Sequence, residues 1–140
     1  MNLNYLEVMD DLEWTVEDHL RGCNRDIVEL YERFLELLKA CGPFEMSVSR
    51  TAISFKGTRR GFAGAKPKRA WLDGYLDLQR QVIDPRIRRA SPYTKRLFVH
   101  QFRISVLDQL DGDFAKWVRE AYEVGAGGHL KEMPRDRTTR

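Results

Sequence analysis

The chain has 140 residues, 42% of them hydrophobic and three of them Trp, enough for one domain with its own core and no need of disulfide or metal staples. Mean hydropathy is −0.54 and no apolar run approaches the ~18 residues of a membrane span, which argues against a membrane partner. The net charge of +3 is segregated: residues 1–49 hold 4 Lys/Arg against 11 Asp/Glu, net −7, residues 50–103 hold 14 against 3, net +11, and residues 104–140 hold 6 against 7, net −1. Separation on this scale speaks about partners rather than fold.

Residues 1–13 are an acidic lead without a basic n-region or an apolar h-region, so no secretory signal is visible and a cytoplasmic location is expected. Thr15-Val16-Glu17-Asp18 reads as a capping box that opens a short helical turn ending near Gly22. Ile27, Leu30, Tyr31, Phe34, Leu35 and Leu38 then recur at spacings of three and four, which predicts an α-helix over 25–40 with one apolar face. Asn24 or Asp26 caps its start, and Gly42-Pro43 stops it. Cys23 and Cys41 flank this helix. At ~1.5 Å per residue they lie roughly 27 Å apart, so both are expected as free thiols.

After Pro43 the period becomes two. Phe44, Met46 and Val48 alternate with Glu45, Ser47 and Ser49, and Thr51–Lys56 continues as a second strand. Gly57–Gly61 is a tight loop before a third strand, Phe62–Ala65. In a fourth strand, Trp71–Leu78, Leu72, Leu76 and Leu78 face one way and Trp71, Asp73, Tyr75 and Asp77 the other. Asp84-Pro85 marks a turn, Arg86–Ala90 reads as a short edge strand, and Lys95–Ile104 as the last and strongest strand. Phe114, Trp117, Val118, Ala121 and Tyr122 mark a final helix over 112–124, capped by Asp111 or Asp113. Gly125 ends it, and residues 125–140, Gly-Ala-Gly-Gly and then mostly charged and polar, read as a disordered tail, of which residues 131–140 lie beyond the domain.

The order is helix, strands, helix. It predicts a single α+β domain over 14–130, with an antiparallel sheet of five to six strands flanked by N-terminal and C-terminal helices. Leu30, Phe34, Phe98, Phe102, Trp117 and Val118 are its expected core.

The chemistry-bearing feature is a basic cluster: Lys56, Arg59, Arg60, Lys66, Lys68, Arg69, Arg80, Arg86, Arg88, Arg89, Lys95 and Arg96, with Phe62, Trp71 and Tyr93 interleaved. Fixed cations suit a phosphate backbone and aromatic faces suit unstacked bases. Lys56, Arg59, Arg60, Lys66, Lys68, Arg69, Arg88, Arg89, Lys95 and Arg96 are the candidate contacts with nucleic acid or another polyanion. The alternative partners are a small anionic ligand or an acidic protein segment. A solvated face balanced by the acidic first helix is the plainer explanation of the same residues. Gly57–Gly64 has the glycines of a phosphate cradle but lacks the Gly-Lys-Ser/Thr ending and opens no helix, so a hairpin turn explains it better. His100, mid-strand between Phe98 and Phe102, reads as a core histidine. Asp73 and Asp77 lie ~13 Å apart along their strand, too far for a carboxylate pair and well placed for ion pairs with Arg. No nucleophile–base or metal-ligand pattern is visible, so neither cofactor nor metal is expected and the chain reads as a binding domain, with an enzyme that uses the Arg cluster to hold an anionic substrate as a weaker third reading.

Three stretches carry a family resemblance: Trp14–Leu20, Thr51–Ala65 and Tyr93–His100, with Trp71–Leu76 between the last two. Together they resemble the bacterial domain-of-unknown-function family 5655, from about Trp14 to Leu130. The resemblance carries over no site residue. Relatives near restriction-type systems imply a weak lean toward nucleic acid. The element order is also similar to that of the small MmcQ/YjbR-like proteins, a likeness of fold alone.

Overall fold

The computed structural model describes residues 14–130. The acidic lead 1–13 and the tail 131–140 lie outside them. Helix α1 (Val16–Leu20) opens with the expected capping box: Asp18 N–H donates to Thr15 Oγ1, and Asp18 Oδ2 accepts from Thr15 N–H. Helix α2 (Arg25–Cys41) buries Ile27, Leu30, Tyr31, Phe34 and Leu38. The strands follow as β1 (Glu45–Val48), β2 (Ile53–Lys56), β3 (Gly61–Pro67), β4 (Leu72–Leu78), β5 (Ile87–Thr94) and β6 (Leu97–Ile104). A 3-10 turn, Leu107–Gln109, leads into helix α3 (Gly112–Gly125), whose first turn is capped by Asp111 accepting from Phe114 N–H.

The six strands form one antiparallel sheet in the order β1-β2-β3-β4-β6-β5. Both long helices pack against its middle. Register places Phe55, Ala63, Leu76 and His100 in one row, with Ile53, Ala65, Gly74 and Phe102 in the next. Phe34 of α2 meets the rings of Phe55, Phe102 and Phe114 with centroids 5.9, 5.5 and 6.2 Å away. One aromatic cluster thus joins α2, α3 and this face of the sheet. Rings at edge-on angles in a dry core add a favourable electrostatic contribution to their area burial.

Several expectations are corrected. β1 is an edge strand with little cover, and Met46 is 41% exposed although the alternation suggested an inward residue. β5 runs on to Thr94 through Pro92, which is tolerated because β5 pairs on one side only. β6 enters between β4 and β5, so it is internal, and Phe98 near its open end is half-buried rather than part of the core. The glycine run after α3 does not begin a tail: residues 126–130 form a packed turn and helical segment in which His129 is buried.

Candidate functional site

The opposite face of the sheet has a different composition. Alternation along β4 turns Asp73, Tyr75 and Asp77 away from the leucines. Register brings Ser54, Gly64, Tyr75, Gln101 and Arg89 into one row across five strands, and Lys66, Asp73 and Arg103 into the neighbouring row. Tyr75 lies across β3. A Cβ on Gly64 would stand 2.5 Å from the Tyr75 ring, so the flat pose of that ring requires glycine. Its hydroxyl reaches Ser54 Oγ at 3.5 Å, and the Lys66 ammonium lies 6.0 Å from its centroid.

Both aspartates of β4 hold arginines. Asp73 takes a two-pronged contact from Arg103, Nε to Oδ1 at 2.7 Å and Nη2 to Oδ2 at 3.1 Å. The same guanidinium covers the Trp71 ring at 4.0 Å, so that ring face is already occupied. Asp77 accepts from Arg60 Nη2 at 2.6 Å, and Arg60 also lies over the Tyr93 ring at 5.4 Å. Burial pushes the Asp77 carboxyl up to about 6 against the opposing pull of Arg60. Desolvation of the charged form outweighs the ion pair here.

The ten candidate cations do not form one strip. Lys56, Arg59, Arg60, Lys95 and Arg96 gather where β2 ends, β3 begins and β5 turns into β6. Lys66, Lys68 and Arg69 lie at the other end of β3, about 20 Å away at ~3.3 Å per residue. Arg88 and Arg89 stand on edge strand β5, where Arg89 Nε donates to Ser91 Oγ. Lys56 borders a recess with Pro43, Phe44, Glu45, Gly57 and Thr58. Arg60 is tied to Asp77, and Arg96 Nη1 donates to the His129 carbonyl at 3.0 Å. Lys56, Arg59, Lys68, Arg69, Arg88 and Lys95 have no carboxylate partner among the described residues.

Two members of the wider basic cluster serve the fold. Arg80 makes a two-pronged contact with Glu120 of α3. Arg86, with its side chain 10% exposed, holds Asp84, Asp111 and the Gln109 carbonyl and covers the Trp117 ring at 4.7 Å. Both guanidinium groups tie the sheet to the region of α3.

The Gly57–Gly61 loop is no phosphate cradle. Arg59 and Arg60 N–H groups donate to Gly125 O at 2.9 and 3.2 Å, so the amides an anion would need are used. A Cβ on Gly57 would stand 2.6 Å from the Gly125 carbonyl. Glycine here permits the loop to rest on the end of α3. His100 is a structural residue. Val82 N–H donates to Nε2, which leaves the ring proton on Nδ1 to bond the Phe98 carbonyl, and burial lowers its pKa.

Sequence reasoning missed Arg103 and His129. Arg103 was legible as the one cation on the outward period of β6. His129 gave no signal, because its neighbours Arg59, Arg60 and Arg96 come from distant segments. Burial first, then the charges of those three arginines, hold its pKa below the usual histidine value.

The model of a family described as "Domain of unknown function (DUF5655)" matches residues 16–125. The chain belongs to this family. The match spans α1 through the end of α3 and so covers every strand of the sheet. No curated protein and no solved structure matches, and the likeness to MmcQ/YjbR-like proteins gains no support. Among the described residues no helix is long and apolar enough to cross a membrane.

Proposed function

We propose that this DUF5655 chain binds single-stranded nucleic acid across the face of the sheet that its helices leave uncovered. The observation that carries the reading is Tyr75. Its ring lies flat over Gly64 near the middle of that face, with the flexible Lys66 ammonium over it 6.0 Å from the centroid, Arg89 along its row and, toward both ends of β3, cations with no carboxylate partner among the described residues. A flat aromatic accepts any base by stacking, and cations spaced along the strand's path accept its phosphates without reading sequence. The basic residues lie on strands and loops, and among the described residues no basic helix suits a major groove, so single strands fit better than duplex. The exposed acidic side chains of α2, Glu29, Glu32 and Glu36, belong to an element packed on the opposite face, where they do not repel the ligand.

Fluorescence anisotropy of a labelled oligo-dT between low and moderate salt tests this reading. Binding should weaken with salt by about 0.7 log units per log unit for each phosphate neutralised. The combined change Lys66→Gln, Lys68→Gln and Arg69→Gln should lower that slope by roughly two. Absence of binding at low salt would remove the proposal and put an acidic protein segment or a small anion first.

A further inference from the structure

Among the described residues, the turn after α3 gathers more positive charge than it has carboxylates to match. Arg59 and Arg60 arrive from the β2–β3 loop, pinned through their backbone to Gly125 O. Arg96 arrives from the β5–β6 hairpin, with Nη1 on the His129 carbonyl. Gly127, at φ 89, turns the chain back so tightly that Arg59 Cγ lies 3.0 Å from where a Cβ would stand. His129 is 7% exposed, and its buried Nδ1 has no hydrogen-bond partner among the described residues. Such a nitrogen is costly to leave unpaired.

The charges do not balance. Asp77 is the carboxylate that bonds this group, and it engages Arg60. Among the described residues Arg59 bonds none, and Arg96 bonds a carbonyl. Among the described residues, three guanidinium groups against one carboxylate leave two positive charges at a turn built from three separate segments. Guanidinium groups favour two-pronged contacts with phosphate oxygens. An internal phosphodiester offers one charge and two free oxygens, whereas a phosphate monoester offers close to two charges and three.

We infer that this turn is a binding site for a phosphate monoester dianion, held by the side chains of Arg59 and Arg96 with His129 Nδ1 as a further donor. Two sources share that chemistry: the phosphorylated end of a nucleic-acid strand, and a small phosphomonoester. The first deepens the function proposed above and rests on it. The second stands without it.

The test is an NMR titration of the full chain with inorganic phosphate at constant ionic strength, with acetate as the control. Phosphate should shift the His129 ring and Arg59 resonances saturably, and acetate should act at least about tenfold more weakly. Arg59→Gln, whose side chain makes no hydrogen bond or ion pair among the described residues, should weaken the phosphate response about tenfold. Tyr75→Ala should leave it unchanged. A second arm compares oligonucleotides carrying a 5′-phosphate, a 3′-phosphate or hydroxyl groups at both ends. A tenfold preference for one phosphorylated end, lost in Arg59→Gln, assigns the strand end. Equal affinities with an intact phosphate response assign the small phosphomonoester. No saturable phosphate response, or an equal response to acetate, overturns the inference. Loss of oligonucleotide binding altogether with the phosphate response intact would sink the nucleic-acid reading and leave this site standing.

Discussion

Along β4, neighbouring residues belong to two different environments. Leu72, Leu76 and Leu78 are fully buried beneath the helices. Asp73 and Tyr75, between them, stand half-buried on the uncovered face. The helix-covered face is held by close packing of rings, where each atom removed leaves a gap. The uncovered face is held by ion pairs and cation–aromatic contacts: Asp73 with Arg103 and Trp71, Asp77 with Arg60 and Tyr93, Tyr75 with Lys66. Partly exposed pairs contribute ~0–1 kcal/mol each, so the second face adds little to stability. A face that contributes little to the fold and still carries a ring laid flat over a glycine is the one to examine for binding.

Substitutions on the two faces should therefore separate stability from binding. The largest effect belongs to the covered face. Phe34→Ala removes a 0% exposed ring that touches three others, and should cost about 3–5 kcal/mol in chemical denaturation. A cost below about 1 kcal/mol would show that the aromatic cluster does not hold the helices to the sheet. Next, Tyr75→Ala should change stability by about 1 kcal/mol or less while weakening oligonucleotide binding by about 1–3 kcal/mol, the range of one stacked base. If stability and binding fell together, the contrast between the faces would fail.

The smallest effect falls on Asp77, which sits at the border of the two environments. In the folded state its carboxyl keeps its proton up to about pH 6, against 3.8 for an ordinary Asp. Between those values the folded chain binds more protons than the unfolded one, so this residue's contribution falls as pH rises. It is fully present below 3.8 and lost above about 6. Asp77→Asn keeps an acceptor for Arg60 and removes the titration. The variant should gain on the wild type by roughly 1–2 kcal/mol between pH 4 and pH 7. Asp18, Asp84 and Asp111 have lowered pKa values and give the opposite trend in both proteins, so the difference between the two curves isolates Asp77. A difference that shrinks as pH rises would mean that the Arg60 pair outweighs burial.

Local pattern was a good guide wherever the cause was local. Thr15 and Asp18 lie within one turn, so their capping box was readable. The apolar stripe from Ile27 to Leu38 reported the buried face of α2 because a helix repeats every 3.6 residues. The alternation in β4 separated Leu76 from Asp77 and pointed to arginine partners for both aspartates, though not to which arginines. Arg103 reaches Asp73 across the β4–β6 pairing. Arg60 reaches Asp77 from the loop before β3.

The sequence by itself determined the kinds of element, their order, the α+β class and the segregation of charge, because these follow from short-range period, capping and composition. Tertiary structure decided which strands are neighbours. Placing β6 between β4 and β5 sets an acidic row of β4 beside Arg103 and leaves Arg89 on the rim of the same face. It also decided that one basic segment would become separate groups of cations, and that the glycine run after α3 would fold back under Arg59 and Arg96. The physical reason is that hydrogen-bond ladders and charge contacts act between residues far apart in the chain. Their partners are chosen by which apolar faces must be buried together, a condition that no short window of sequence contains.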